Sequence, residues 1–390
     1  MKKSISIFFR LSCILASFAT IFVFTTPVQA KKDKTDDFSI SKKKYKPQNL
    51  KIAKRLWSVG LKSGGSKKHF YPEYNNPVAD NGVIYVGSQG GIFYAVSESS
   101  GKILWKYKNV EAISSTPALN ADRIFFTDLG GGVVCLSKSD GSLVWRNTFD
   151  REMLGLPLVS GGNLYLLRGE QDVIAVSQDD GHLVWSRAMR TYLKDITMRG
   201  HSSLALVDGA LVVGLADGHL YKIAPSDGRV LWDKNLSLPL KTFKDIDAQV
   251  VQAGDSLYVG GYFGSVYRLG SGSGNILWSS DVATSSRVLV QDNMVVISDV
   301  NGSVVGLDRN SGEQIWFNNL SRGPISDPVF FAGKVFVTAF DKGAYLLDLN
   351  TGNQVQKLDV GTGALNSPFV SGDKVFIVTN DAKLVAFTVQ

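Results

Sequence analysis

A glycine followed four residues later by a tryptophan recurs along this chain at nearly constant spacing. Gly101-Lys-Ile-Leu-Trp105 returns as Gly141…Trp145, Gly181…Trp185, Gly228…Trp232, Gly274…Trp278 and Gly312…Trp316, and a degenerate copy reads Gly352-Asn-Gln-Val-Gln356. The intervals between these glycines are 40, 40, 47, 46, 38 and 40 residues. Six of the seven tryptophans therefore share one repeat position; the seventh, Trp57, reads as the end of an eighth copy whose beginning is missing. A period of this length marks stacked or ring-closed supersecondary units rather than independent domains.

Within one unit the pattern is strand, turn, strand, turn. Asn76-Pro-Val-Ala79, Val83–Gly87, Ile92–Val96 and Ile103–Trp105 are β-rich runs separated by Asp80-Asn-Gly82, Gly90-Gly91 and Ser99-Ser-Gly101. Four short strands in about 40 residues is a propeller blade. The missing start of the eighth unit lies at the other end of the chain. Asn366–Val370, Lys374–Val378 and Lys383–Phe387 supply three strands with no glycine–tryptophan strand after them. The strand around Trp57 can complete that sheet and close the ring without a free edge. The expectation is an all-β, eight-bladed β-propeller with four-stranded blades, the last closed by the N-terminal strand. The tryptophans Trp57, Trp105, Trp145, Trp185, Trp232, Trp278 and Trp316 are expected to dock blade against blade. Each buries about 150–250 Å², worth about 4–6 kcal/mol gross.

Composition agrees with a folded β protein: 44% hydrophobic and 20% charged residues exclude disorder, and 39 glycines suit turns. The net charge of +7 is concentrated at one end. Residues 1–30 carry three cations and residues 31–56 carry ten against three aspartates, so the remainder is −3. A basic nucleic-acid-binding face on the body is not expected.

Lys2 and Lys3, an apolar run and Val28-Gln-Ala30 read as an export signal cleaved after Ala30, with an uncleaved anchor as the alternative. Residues 31–50 read as a flexible basic leader, and 51–390 as the propeller. Cys13 lies inside the apolar run, in Arg10-Leu-Ser-Cys13, which does not match a lipoprotein box. The remaining cysteine, Cys135, is expected to be buried rather than reactive.

Function is expected where the repeat is violated. From Trp105 to Pro117, Trp145 to Pro157 and Trp316 to Pro328 the link to the next blade is 12 residues. From Trp185 to Leu204 it is 19, and from Trp232 to Gln249 it is 17. Both long links belong to consecutive blades and are of one type, so they emerge side by side on one face. The first carries Ile196, Met198 and Arg199; the second carries Asp245 and Asp247. An apolar pair flanked by opposite charges can bind a partner. Ordinary surface loops whose charges pair with one another are the plain alternative.

At these residues the sequence resembles the BamB-like outer-membrane β-barrel assembly factors, which are built on the PQQ-type propeller repeat. Ile196-Thr-Met-Arg-Gly200 and Lys244-Asp-Ile-Asp-Ala248 stand where that family has its partner-binding loops, and Gly264-Ser-Val-Tyr-Arg-Leu…Gly274-Asn-Ile-Leu-Trp278 is similar to the blade that follows. The likeness covers about residues 52–390. It implies a non-catalytic scaffold in which Ile196, Met198, Arg199, Asp245 and Asp247 contact the POTRA region of a BamA-like barrel protein. Unfolded outer-membrane proteins would be further partners. The location implied is the periplasm, at the inner face of the outer membrane, with membrane association mainly through partners. Family members are typically lipoproteins, and the absent lipobox is a departure.

Two other classes stand beside this one. A quinoprotein enzyme would share the repeat and bind PQQ and calcium, but no cofactor site can be assigned residue by residue. His69, His182, His201 and His219 lack metal-ligand spacing, no Asp-x-Asp-x-Asp-Gly loop follows Asp245 and Asp247, and Gly130-Gly-Gly132 has no P-loop lysine. No catalytic, cofactor or metal site is therefore expected. A binder of peptide, polysaccharide or another envelope partner could use the central channel, with Tyr71, Tyr74, Tyr262 and Phe263 as candidate aromatics.

Overall fold

The strand–turn arithmetic is realised in eight four-stranded antiparallel sheets among the described residues. The computed structural model describes residues 50–61, 75–113, 115–169, 172–189, 203–237, 245–246, 248–262, 264–341 and 343–390. The export signal read over 1–30 and nearly all of the leader lie outside them.

Blade 1 comprises Val78–Asp80, Val83–Gly87, Ile92–Ser97 and Ile103–Lys108, each paired with the next. Blades 2 to 7 repeat this meander over 118–148, 153–188, 205–235, 251–280, 289–319 and 329–358. The two middle strands of each blade are covered on both faces by neighbouring blades. They accordingly read as continuous apolar runs such as Val-Ile-Tyr-Val and Ile-Phe-Tyr-Ala-Val, with Ile84, Val86, Phe93 and Val96 fully buried. The sequence reading started the innermost strand at Asn76; it starts at Val78. Pro77 has no N–H to give a ladder, and Asn76 is engaged elsewhere, as described below.

In a four-stranded meander the links between blades leave from one face, here the link face. The hairpin between strands one and two and the turn between strands three and four lie on the other, the turn face. Asn81 and Gly82, with φ of 48° and 76°, form a two-residue hairpin whose twist suits the flanking strands.

The turn glycines meet the tryptophans. The seven from Gly101 to Gly352 have φ between 66° and 75°. A Cβ at any of them would come within 3.1 Å of the indole of the preceding unit: Trp57 at Gly101, Trp105 at Gly141, and so on to Trp316 at Gly352. The glycine thus serves both a left-handed backbone and a flat docking surface. Six indoles also donate Nε1–H to the carbonyl three residues before that glycine, for example Trp145 to Gln178 at 2.9 Å and Trp316 to Leu349 at 2.9 Å. Burial and a satisfied donor together fix the spacing of adjacent blades.

The ring closes between the chain ends. Ala53–Gly60 pairs antiparallel with Lys383–Val389, placing Trp57 opposite Ala386. This is the register of Trp105 with Ala95 and Trp185 with Ala175. The degenerate copy has a physical reason. The fourth strand of blade 8 arrives from the N-terminus, so no turn glycine precedes it to receive an indole. Gln356 stands there instead. Its Oε1 accepts from the N–H of Ile52 at 2.8 Å and of Ala53 at 2.9 Å, and its Nε2 donates to Ala53 O at 2.7 Å.

A candidate partner-binding face

The long links begin after Leu183–Ala188 and Val230–Asn235 and rejoin the blades at Ala205 and Val251. Both sets of stems therefore lie on the link face, on consecutive blades. Ile196, Met198, Arg199 and Asp247 lie outside the described residues. Asp245 is described, and it is in the interior at 3% exposure. Its carbonyl closes on Gly261, where a Cβ would have no room. A carboxylate so covered gives a partner little to touch, so Asp245 is placed as a support of the second link rather than as part of its outer surface.

The reason lies in its neighbour. Ile246, 2% exposed, packs with Val212, Leu220, Val250 and Val259 and donates its N–H to Leu215 O at 3.3 Å. Gly214, ending the second strand of blade 4, leaves the space that Ile246 fills. The same plug recurs: Ile113 sits against Gly87, and Thr284 against Gly260. Sequence reasoning missed this device. Its signal was present, a glycine closing Val86-Gly87, Val213-Gly214 and Val259-Gly260, with an apolar or branched residue in the following link. The second link is thus pinned at Ile246 and its extra residues precede the pin.

Beside these stems, His219 Nδ1 lies 2.8 Å from Asp233 Oδ2, and its ring stacks on Tyr221, whose hydroxyl donates to Asp217 at 2.7 Å. On the opposite side of the same blade, Lys222 occupies the position that is Ala95 or Cys135 elsewhere. Its ammonium donates to Ser271 O at 2.9 Å, the carbonyl the repeat reserves for the indole. Trp232 Nε1 consequently makes no hydrogen bond among the described residues.

The central channel is ringed at its link-face end by one residue per blade. The backbone N–H of each donates to the side chain of the next at four places: Asn76 to Thr116 Oγ1 at 3.1 Å, Leu156 to Ser203 Oγ at 3.0 Å, Arg287 to Asp327 Oδ1 at 2.9 Å and Ser367 to Asn76 Oδ1 at 2.8 Å. Ser367 Oγ donates to Asp327 Oδ2 at 2.5 Å. Loss of solvent around Asp327 holds its carboxyl above the usual carboxylate range, against the field of Arg287 and these hydrogen bonds. Of the channel aromatics proposed from sequence, Tyr71, Tyr74 and Phe263 lie outside the described residues, and Tyr262 follows the second strand of blade 5 at the link-face turn.

Cys135 is fully buried opposite Trp145, and burial pushes its thiol up to about 12. His182 Nδ1 lies 2.6 Å from Asp180 on the exposed turn face; His69 and His201 are outside the described residues. Among the described residues no group of three or more His, Cys, Asp or Glu is arranged to hold a metal ion.

The chain is similar to known proteins at three levels. An outer membrane protein assembly factor BamB of Kangiella koreensis is 25% identical over 129 residues, which is 32% of this chain and 33% of that protein, so the match spans about a third of the relative's length. The crystal structure of BamB from Moraxella catarrhalis superposes with a TM-score of 0.76 at 19% identity, covering 86% of this chain and 100% of that one. The quinohemoprotein alcohol dehydrogenase of Comamonas testosteroni also superposes, with a TM-score of 0.72 at 11% identity over 87% of this chain and 77% of that one. At these identities both likenesses speak for the propeller fold alone. A family model described as outer membrane protein assembly factor BamB matches residues 52–128, 108–318 and 300–390, the whole length of the propeller, and the chain belongs to that family.

Proposed function

We propose that this protein is a non-catalytic scaffold subunit of the machinery that inserts β-barrel proteins into the outer membrane. It acts from the periplasm at the inner face of that membrane. The observation that carries the reading is the match of the family model over the whole propeller. In this reading residues 1–30 direct export, 31–50 form a flexible basic leader, and the two long links on the face of blades 3 to 5 bind the POTRA region of a BamA-like barrel protein. Ile196 and Met198 supply apolar contact, and Arg199 and Asp247 supply charge complementarity. Ile246 and the buried Asp245 hold the second link at its root. Unfolded outer-membrane proteins would be further partners.

The test is a pull-down from detergent-solubilised envelope with the wild-type chain and an Arg199→Glu, Asp247→Lys double variant, both checked by thermal melting. Asp245 is left intact, because a lysine in its buried site would disturb the fold. The reading expects a large barrel protein with POTRA repeats to be retained by wild type and lost by the folded variant. Equal retention by both, or no barrel protein with either, would reject the link assignment.

The channel supports a second reading, binding of another envelope ligand. Its link-face end, a chamber of about 220 Å³, is lined by hydroxyls and amides. Most of those groups are engaged in joining blade to blade, which favours the scaffold reading.

A further inference from the structure

One group in the channel is not engaged in this way. The guanidinium of Arg287 is exposed and makes no hydrogen bond or ion pair among the described residues; only its backbone N–H is used, by Asp327. Arg287 also stands at a boundary. It lines the polar chamber at the link face and, beyond it, a second cavity of about 370 Å³. That second cavity is walled by the innermost strands of blades 5 to 8, with Leu289, Val290, Phe330, Phe369 and Val370 half-exposed toward it. Its volume lies within the range of about 300–1,000 Å³ common to small-molecule sites. A third observation is independent of these. Asn366, 3% exposed, lines the polar chamber, and its Oδ1 accepts no hydrogen bond among the described residues. A buried acceptor left so is destabilising unless a donor reaches it.

We propose that the central channel binds an apolar-bodied monocarboxylate, its anionic head on Arg287 and its body against Val290, Phe330 and Val370. The chemistry follows from the three groups. A planar guanidinium pairs a carboxylate through two parallel hydrogen bonds. The side chains of the wall below Arg287 are apolar, so the body that packs on them is hydrocarbon. Arg287 is the one cationic side chain lining the polar chamber among the described residues, so the ligand carries one negative charge. A ligand N–H is the kind of donor Asn366 Oδ1 lacks, and reaching it takes a turn of that side chain into the chamber. Two sources offer this chemistry: a free medium-chain acid, and the C-terminal residue of a peptide ending in a large apolar side chain. The site is separate from the long links and does not depend on what they bind.

The experiment is calorimetric titration of the full chain with octanoate, octanamide, acetyl-Ala-Ala-Phe and its C-terminal amide, repeated on Arg287→Gln and Arg287→Lys. Arg287 is exposed, so both variants should fold, which cooperative thermal melting checks. The acids should bind at least about tenfold more tightly than their amides, and Arg287→Gln should erase that difference. Arg287→Lys should keep part of it. Tighter binding of octanoate than of the peptide points to the free acid, and the reverse to a chain end. No binding by either acid at millimolar concentration, equal affinity for acid and amide, or an unaffected Arg287→Gln variant would overturn the proposal.

Discussion

The seam between blades 7 and 8 and the seam between blades 4 and 5 both depart from the repeat, in different ways. At the first, the tryptophan is gone and Gln356 binds the backbone of Ile52 and Ala53 directly. At the second, Trp232 is kept and still packs on Gly274, but Lys222 has taken the carbonyl its indole would use. The first departure is forced by topology: a strand arriving from the other end of the chain brings no turn glycine. The second is forced by nothing in the connectivity, and it lies in the sector of the long links. Comparing the two separates what closure requires from what a particular sector has acquired. It also shows that indole packing and the indole hydrogen bond are separable contributions.

Substitutions at four positions sharpen this comparison. The largest effect is expected at an ordinary seam. Trp145 is 9% exposed and makes both contributions, so Trp145→Ala should cost about 3–5 kcal/mol in denaturant unfolding. Gln356→Ala removes three hydrogen bonds and leaves backbone groups of the closing strand unpaired, at about 2–3 kcal/mol. Gln356→Trp should not restore them; recovery by Trp would show that the seam is an ordinary one and sink the topological explanation.

The inner end of the neighbouring seams gives the third. Because the Asp327 carboxyl titrates above its unfolded value, its protonated form is favoured by folding. That contribution is present at pH below the unfolded value and is lost as pH rises through the folded one. Asp327→Asn keeps an acceptor for the Arg287 N–H and removes the charge. It should gain stability relative to wild type as pH rises above the ordinary carboxylate range, as read from melting temperature against pH. A constant difference across that rise would mean the carboxylate is solvated. The smallest effect is at Lys222. Lys222→Ala restores the small residue found at Ala95 and Ala175 and frees Ser271 O for Trp232. Stability should change by no more than about 1 kcal/mol in either direction, because a buried charge and its desolvation leave together. Indole fluorescence should report the new hydrogen bond.

The ring itself was legible in the sequence because its two essential residues are irreplaceable. Only glycine fits the turn under an indole, and only tryptophan covers it and reaches the carbonyl beyond. Blade number and the closing strand followed from that pair. The channel girdle was not legible. Its members are Asn76, Thr116, Ser203 and Asp327, four residue types that share only a short acceptor side chain, so no letter repeats. The interior place of Asp245 was hidden for a related reason. A charged residue in a long link reads as surface, and only the plug made by Ile246 in the space left by Gly214, about thirty positions upstream but adjacent in the fold, turns it inward.

The central claim is that one face of this disc, and not the other, carries the partner. A purified POTRA region of the cognate barrel protein, titrated against the wild-type chain, the Arg199→Glu, Asp247→Lys variant and a turn-face control, Asp179→Lys with Asp180→Lys, tests it directly. The account predicts that the turn-face variant binds as wild type does and that the link variant loses at least about tenfold in affinity. Full affinity in the link variant, or loss confined to the turn-face variant, would contradict it.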